Sequence, residues 1–421
     1  MKLKRETGDN RPFFQHLGQL SFAEFIFCCL NSLIGTGVLR LGSAFASGLL
    51  FSHVLNILIA IVSLYSLKLY VLSASCFHES TFEEIWSATF SRTTVIIPAI
   101  CSILSSISNI VSYLSFLQGS VVTILSMIIK MALDNTEATI NSIEKYTFLI
   151  GVMIVFVVCV PISFSNNIHL IFQLSIVSVS CFLFILIYVI IRFFLMISKN
   201  GFDPNKRFKL VDFNSHISGS ISSFTFAYLL YPFAWPGLRH SKNPTPRNLS
   251  KTFYVTIGAC YVLYSLMGTF CYFSFFDENT GGIILDYYPS DTITDQILLI
   301  IGHSSTFIYI MLTIPNVLNS ARYILLNTLH KKDEFPKDVW VPIGIMISFI
   351  SLVLANITSG ISNYIFIVRD LLTLVQLFIF PPIFYLRGYG TKNKLHFVCS
   401  ILELILGVVA IGFIIYADCF E

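Results

Sequence analysis

Gly35-Thr36-Gly37 interrupts the first long apolar segment, Asn31-Ser32-Leu33-Ile34-Gly35-Thr36-Gly37-Val38-Leu39, near its middle. In lipid every backbone polar group needs an internal partner, so a mid-depth break survives only where protein or a water-filled cavity supplies one. A half-helix starting at such a break offers free N–H groups and the positive end of its dipole. That chemistry suits an anionic group, such as a carboxylate held by the N–H groups of Gly35, Thr36 and Gly37. The competing reading is a glycine pair that lets two helices pack closely. A second interruption lies in Phe224-Thr225-Phe226-Ala227-Tyr228-Leu229-Leu230-Tyr231-Pro232-Phe233-Ala234-Trp235-Pro236-Gly237. Its two prolines each remove a helical donor and clash with the preceding turn. A simple proline kink at a helix end is the alternative. Paired interruptions in the two halves of a chain point to a ligand site between inverted repeats.

The elements that carry these breaks must be membrane helices. The chain has 421 residues, is 55% hydrophobic and only 12% charged, with a mean hydropathy of +0.78. Soluble domains carry about 25% charged residues. The pattern predicts an all-α integral membrane protein with eleven spans, at 20–48, 51–75, 95–129, 146–164, 168–197, 219–238, 252–275, 294–319, 339–358, 361–386 and 395–417. Basic residues favour a cytoplasmic N-terminus, because Arg239, Lys242, Arg247, Lys251, Lys331, Lys332 and Lys337 then fall inside. The basic loop around 199–209 is the exception. Loop 275–293 carries Asp277, Glu278, Asp286 and Asp291 without Lys or Arg, which suits the outer surface.

Five spans, a loop and five more spans give a 5+5 inverted repeat plus one extra helix. The expected organisation is a cytoplasmic tail 1–19, a first repeat 20–197, an extracellular loop 198–218, a second repeat 219–386, a cytoplasmic loop 387–394, and an eleventh helix with a short outer end, 395–421. The ten cysteines are scattered without CxxC or Cys/His spacing, so neither zinc nor a disulfide framework is expected. No basic run interleaved with aromatics points to nucleic acid. No paired carboxylates, HExxH or Ser/His set lies in the spans, which argues against an enzyme. The isolated His53, His169 and His303 read as interhelical hydrogen-bond partners.

Three patches carry a resemblance over nearly the whole chain. They are Asn31 to Leu39, then Phe224 through Pro232, Pro236 and Asn248-Leu249-Ser250-Lys251 to Tyr264, Gly268 and Phe275, and then Thr313-Ile314-Pro315 with Arg322 and Ile379 to Arg387. Together they resemble the amino acid/auxin permease family, and within it most closely the sodium-coupled neutral amino acid transporters. The resemblance implies the broken-helix symporter fold and cation-driven import of small amino acids. It also implies a sodium site made by Asn31 and Thr313, with Na+ as the coupling ion and no other cofactor. The substrate carboxylate would meet Gly35, Thr36 and Gly37, and its ammonium the carbonyls freed around Phe226, Tyr228 and Leu230. For Asn31 an interhelical hydrogen bond, and for Thr313 a bond to its own helix, are the alternatives. Span three adds Ser102, Ser105, Asn109 and Ser112 beside Tyr113, as a pathway lining or as a packing stripe.

Two departures from the family pattern stand out. Arg40 follows the glycine break, and Arg369-Asp370 sits in span ten, where the family has small residues. Charge inside a membrane helix is costly and marks function by default. The resemblance extends to the neurotransmitter-symporter fold, which pairs an arginine at this offset with a span-ten aspartate. It implies that Arg40 and Asp370 pair as an outer gate; the alternative is that Arg40 snorkels and Arg369 pairs with Asp370 or with lipid. Asp370 could instead hold a cationic side chain, which Arg40 would oppose, so a neutral substrate is favoured. The expected protein is a monomeric carrier in contact with lipid, at the plasma membrane or, alternatively, an endolysosomal or vacuolar one. Proton-coupled transport, including of cationic amino acids, and a non-transporting amino acid sensor are the competing functions.

Overall fold

A chain this apolar satisfies its backbone in lipid by forming helices. The computed structural model describes residues 20–35, 38, 41–132, 145–163, 168–200, 209–212, 217–231, 241–242, 244–275, 284–290, 292–330, 335–357 and 362–420. Among these, eight helices are long and apolar enough to cross a membrane. They are span two (Leu49–Phe77), span three (Ile96–Ala132), span five (Ile168–Asn200), span seven (Pro246–Phe275), span eight (Ile293–His330), span nine (Lys337–Ile357), span ten (Ser362–Leu374 and Phe380–Tyr389, joined by a π turn at Val375–Ile379) and span eleven (Lys394–Phe420).

The remaining predicted spans are shorter. Span one is a 12-residue helix, Phe22–Leu33, and span six an 11-residue helix, Ile217–Ala227. Span four is Thr147–Ile154 continued through a π turn at Val155–Cys159 and Val160–Ser163. At about 1.5 Å per residue, the helices of spans one and six cover under about 20 Å of a hydrocarbon layer about 30 Å thick. Both stop part-way, at the two sequence interruptions.

Spans one and six run antiparallel side by side. Lys242 N–H donates to the Leu20 carbonyl at 2.9 Å, joining the start of span one to the chain beyond span six. At the opposite end Ser220 donates to the Ala44 carbonyl at 2.8 Å, and Ser47 and Ser220 hydroxyls lie 2.8 Å apart. Inverted repeats require this arrangement of their first helices.

Two groups of helices surround this pair. Spans two, six and seven are laced by polar contacts: Tyr228 donates to Asn56 Oδ1 at 2.7 Å, Asn56 Nδ2 to Ser265 at 3.0 Å, and Tyr264 to the Ala227 carbonyl at 3.0 Å. Spans three, five and eight form the other group, with span three packed along span eight. The predicted stripe Ser102, Ser105, Asn109 and Ser112 is buried in that group. Ser105 Oγ and Asn109 Oδ1 have no hydrogen-bond partner among the described residues.

Gly268 on span seven packs directly under Phe45, which follows the short helix Leu41–Ala44 beyond the span one break, and an added Cβ would overlap the Phe45 ring. Phe45 is fully buried and cannot swing away. Overpacking of this kind costs about 1–3 kcal/mol. Gly268→Ala is expected to lower the melting temperature of the purified protein, and a Gly268→Ala/Phe45→Leu double variant to recover most of the loss.

The loop between spans five and six anchors the start of span two. Gly48 adopts φ +100°, and its backbone is so close to Leu210 that a Cβ would sit 2.8 Å from the Leu210 carbonyl. Leu49 and Leu50 N–H groups donate to the Lys209 and Leu210 carbonyls at 3.1 and 3.0 Å, filling donors that a helix start leaves open. Lys209 pairs with Asp212 at 2.7 Å, so this basic residue of the exceptional loop is locally neutralised. Lys199, Lys206 and Arg207 lie outside the described residues or side chains.

Candidate functional site

Span one ends at Leu33, and Ile34 takes φ −72° and ψ 71°. Gly35 N–H then donates back to the Leu33 carbonyl at 2.7 Å. This is an inverse γ-turn, which leaves the helical path in one residue. The turn brings Gly35 under Tyr113 of span three, so close that a Cβ would sit 2.8 Å from the Tyr113 hydroxyl. Tyr309 of span eight donates its hydroxyl to the break, facing the Ile34 carbonyl and, at 3.0 Å, the Gly35 carbonyl. The Gly35 N–H is therefore occupied by Leu33 in this conformation. Thr36 and Gly37 lie outside the described residues.

One turn before the break, Asn31 faces Thr313. The Thr313 hydroxyl lies 3.0 Å from Asn31 Oδ1 and 2.9 Å from the Tyr309 carbonyl. It also lies 3.1 Å from Ser178 Oγ, while Asn31 Nδ2 donates to Ser175 Oγ at 3.1 Å. All four side chains are buried. Pro315 has no N–H, so span eight also lacks the helical donor to the Met311 carbonyl. The result is a buried cluster of uncharged oxygens from spans one, five and eight. An alkali cation takes such oxygens, and Thr313's single proton can serve only one of its acceptors at a time. Both pairwise alternatives also hold, since Asn31 bonds across helices and Thr313 bonds to its own.

Span six ends at Ala227, but its freed carbonyls are partly taken. The Ala227 carbonyl accepts from Tyr264, and the Tyr228 carbonyl from Ser63 at 3.2 Å. Leu229 N–H reaches back to the Phe226 carbonyl at 3.2 Å. The Tyr228 side chain points to spans two and seven, and Leu230 is fully buried. The Phe226 ring instead lies under the Arg369 guanidinium of span ten, 4.3 Å from it. Arg369 also grips Asp370, with Nε and Nη2 at 2.8 and 2.7 Å from Oδ1. Arg40 lies outside the described residues.

The structure adds residues that the sequence reading passed over. Ser175 and Ser178 are spaced i, i+3 on span five, a signal indistinguishable from small-residue packing. Tyr309 carries no motif at all. Glu403 is a lone carboxyl in Ile401-Leu402-Glu403-Leu404-Ile405, which was a readable signal. His53 meets Thr269 across spans two and seven at 3.1 Å. His303 lies 3.4 Å from Asp286 on the loop between spans seven and eight, and the side chain of His169 lies outside the described residues.

The fold has close structural relatives. One is MhsT, solved in complex with L-phenylalanine, with a TM-score of 0.61 and 10% identity over 96% of this chain and 100% of that one. Another is MHP1, a nucleobase-cation-symport-1 family transporter solved closed with bromovinylhydantoin bound, with a TM-score of 0.58 and 12% identity over 98% and 95% of the two chains. At these identities the likeness establishes the broken-helix symporter architecture. The family model described as transmembrane amino acid transporter protein matches residues 18–418. With that match over nearly its whole length, on helices that break where spans one and six meet, the chain belongs to the transmembrane amino acid transporter family.

Proposed function

We propose that this protein imports a small neutral amino acid by alternating access, with Na+ as the coupling ion. The observation that carries the reading is the buried cluster of Asn31, Ser175, Ser178 and Thr313 beside the span one break. Sodium favours hard oxygen ligands, and this set supplies amide, hydroxyl and carbonyl oxygens without a fixed negative charge. The substrate carboxylate meets the Thr36 and Gly37 N–H groups, and Gly35 joins them once its own N–H leaves Leu33. The ammonium meets the Leu229 and Leu230 end of the span six break, between Phe226 and Tyr228.

The two helix groups supply the moving parts. Spans one, two, six and seven move against spans three, four, five, eight, nine and ten, and the Tyr309 and Thr313 contacts to span one lie on the sliding surface. Arg369 over Phe226, held by Asp370, covers the site from outside. Arg40 is the second cationic partner of Asp370 in that gate. The protein works as a monomer in the plasma membrane.

The test is uptake of labelled neutral amino acids into proteoliposomes under an inward Na+ gradient or an inward H+ gradient. Accumulation driven by the Na+ gradient is the expected result. Binding without uptake under either gradient replaces the carrier with a sensor. A proton-coupled cycle is the second reading, favoured by one observation: the buried, unpaired carboxyl of Glu403.

A further inference from the structure

Span eleven presents one buried face to the bundle, formed by Ser400, Glu403, Gly407, Ile414 and Ala417, while the rest of the helix faces outward. Glu403 is 3% exposed, and among the described residues neither of its carboxyl oxygens has a hydrogen-bond partner. One turn further on, Gly407 lets the helix lie against the π turn of span ten, where an added Cβ would sit 2.6 Å from Phe378 Cβ. Such π turns concentrate at functional sites.

The groups around Glu403 come from each helix packed on span eleven. Span two brings Tyr65, Ser66 and Lys68, and Tyr65 is 3.0 Å from His396 Nδ1. The end of span six brings Tyr231, also buried and, among the described residues, without a partner for its hydroxyl. Span ten brings Tyr385, which packs on His396 and Tyr389, and, toward its other end, Arg369 and Asp370, which hold each other. Span eleven itself adds His396 and Cys399. None of these cations forms an ion pair with Glu403 among the described residues.

Ser66 decides which form of Glu403 fits. Its one hydroxyl proton goes to the Leu377 carbonyl of the π turn at 2.5 Å. It can therefore only accept a further bond, and an ionised carboxylate can only accept as well. Only the protonated acid can bond to Ser66. The ionised form would instead need the free Tyr231 hydroxyl, which stands just before Pro232 at the span six break. An unpaired carboxylate left in this dry interior is costly.

We propose that Glu403 is a proton-binding site of the transport cycle, loaded in the conformation described here and emptied when span six shifts. This rests on the transporter reading above. On emptying, the O–H bond of the Glu403 carboxyl breaks and its proton passes to water admitted by the shift, while the carboxylate is taken up by Tyr231.

Infrared difference spectroscopy of the purified protein in lipid, between acidic and alkaline buffer, reads Glu403 without requiring transport. The wild type should lose a protonated-carboxyl band that Glu403→Gln never shows. In proteoliposomes, amino acid exchange by the wild type should fall about tenfold per pH unit above the Glu403 midpoint, while Glu403→Gln should be flat. Tyr231→Phe removes the donor to the charged form and should move the wild-type midpoint to more alkaline pH. An unchanged spectrum and pH profile in Glu403→Gln, or an unmoved midpoint in Tyr231→Phe should Glu403→Gln fail to fold, overturns the proposal. A wild type that moves no amino acid overturns the transporter reading instead, with the infrared band still deciding whether Glu403 binds a proton.

Discussion

Asn31→Ala and Thr313→Ala should each weaken sodium activation of uptake by about 10- to 100-fold, the effect of removing one charge-assisted contact of about 1.5–3 kcal/mol. The two side chains come from spans one and eight, with their oxygens 3.0 Å apart. A cation held between them joins the two helix groups, so removing either ligand should also uncouple the groups. Thr313→Ser keeps the hydroxyl and should keep most of the activation. Ser178→Ala should give a smaller loss, because Ser178 reaches the cluster only through Thr313 and the Tyr309 carbonyl. Uptake measured against Na+ concentration in proteoliposomes separates these outcomes. Unchanged half-activation in both alanine variants would remove Asn31 and Thr313 from the coupling site and leave their contact as a plain interhelical bond.

Loss of the Arg192–Asp295 pair should have the largest effect on stability. Arg192 of span five is 2% exposed and lies 2.7 Å from Asp295 at the start of span eight. Its second nitrogen donates to the Pro289 carbonyl at 3.1 Å, and the guanidinium stacks on the Tyr288 ring at 5.0 Å. One side chain thus fixes the loop between spans seven and eight to spans five and eight. Thr292 caps the helix by accepting the Asp295 N–H at 3.1 Å. Removing one partner strands a buried charge, which costs about 3–5 kcal/mol, whereas replacing both by apolar groups is often neutral. Arg192→Met or Asp295→Leu alone should sharply lower the melting temperature in detergent, and the double variant should regain much of it. Equal losses in single and double variants would show that packing around Tyr288, not charge, holds the loop.

Both results depend on contacts between distant parts of the chain, and here the sequence and the structure divide the work. Hydropathy and charge determine the membrane helices, because satisfying the backbone in lipid is a local requirement. The same reasoning pointed to both interruptions, since glycines and prolines act on their own turns; the span six helix stops at Ala227, and Pro232 and Pro236 lie outside the described residues. The family motif placed Asn31 and Thr313 opposite each other, and the tertiary structure brings them together across 282 positions.

What the motif could not supply is the surroundings. Ser175 and Ser178 become polar neighbours of Asn31 and Thr313 only because span five crosses both spans one and eight there. Asp370 could be read against either Arg40 or Arg369, and the structure shows its bond to Arg369, set by adjacent positions and by Phe226 beneath. Glu403 was visible as a charge in an apolar helix, yet its meaning depends on Ser66 having already spent its proton on Leu377. Local chemistry is written in the order of residues. Partners, and which hydrogen-bonding capacity remains unused, are decided only when the helices pack.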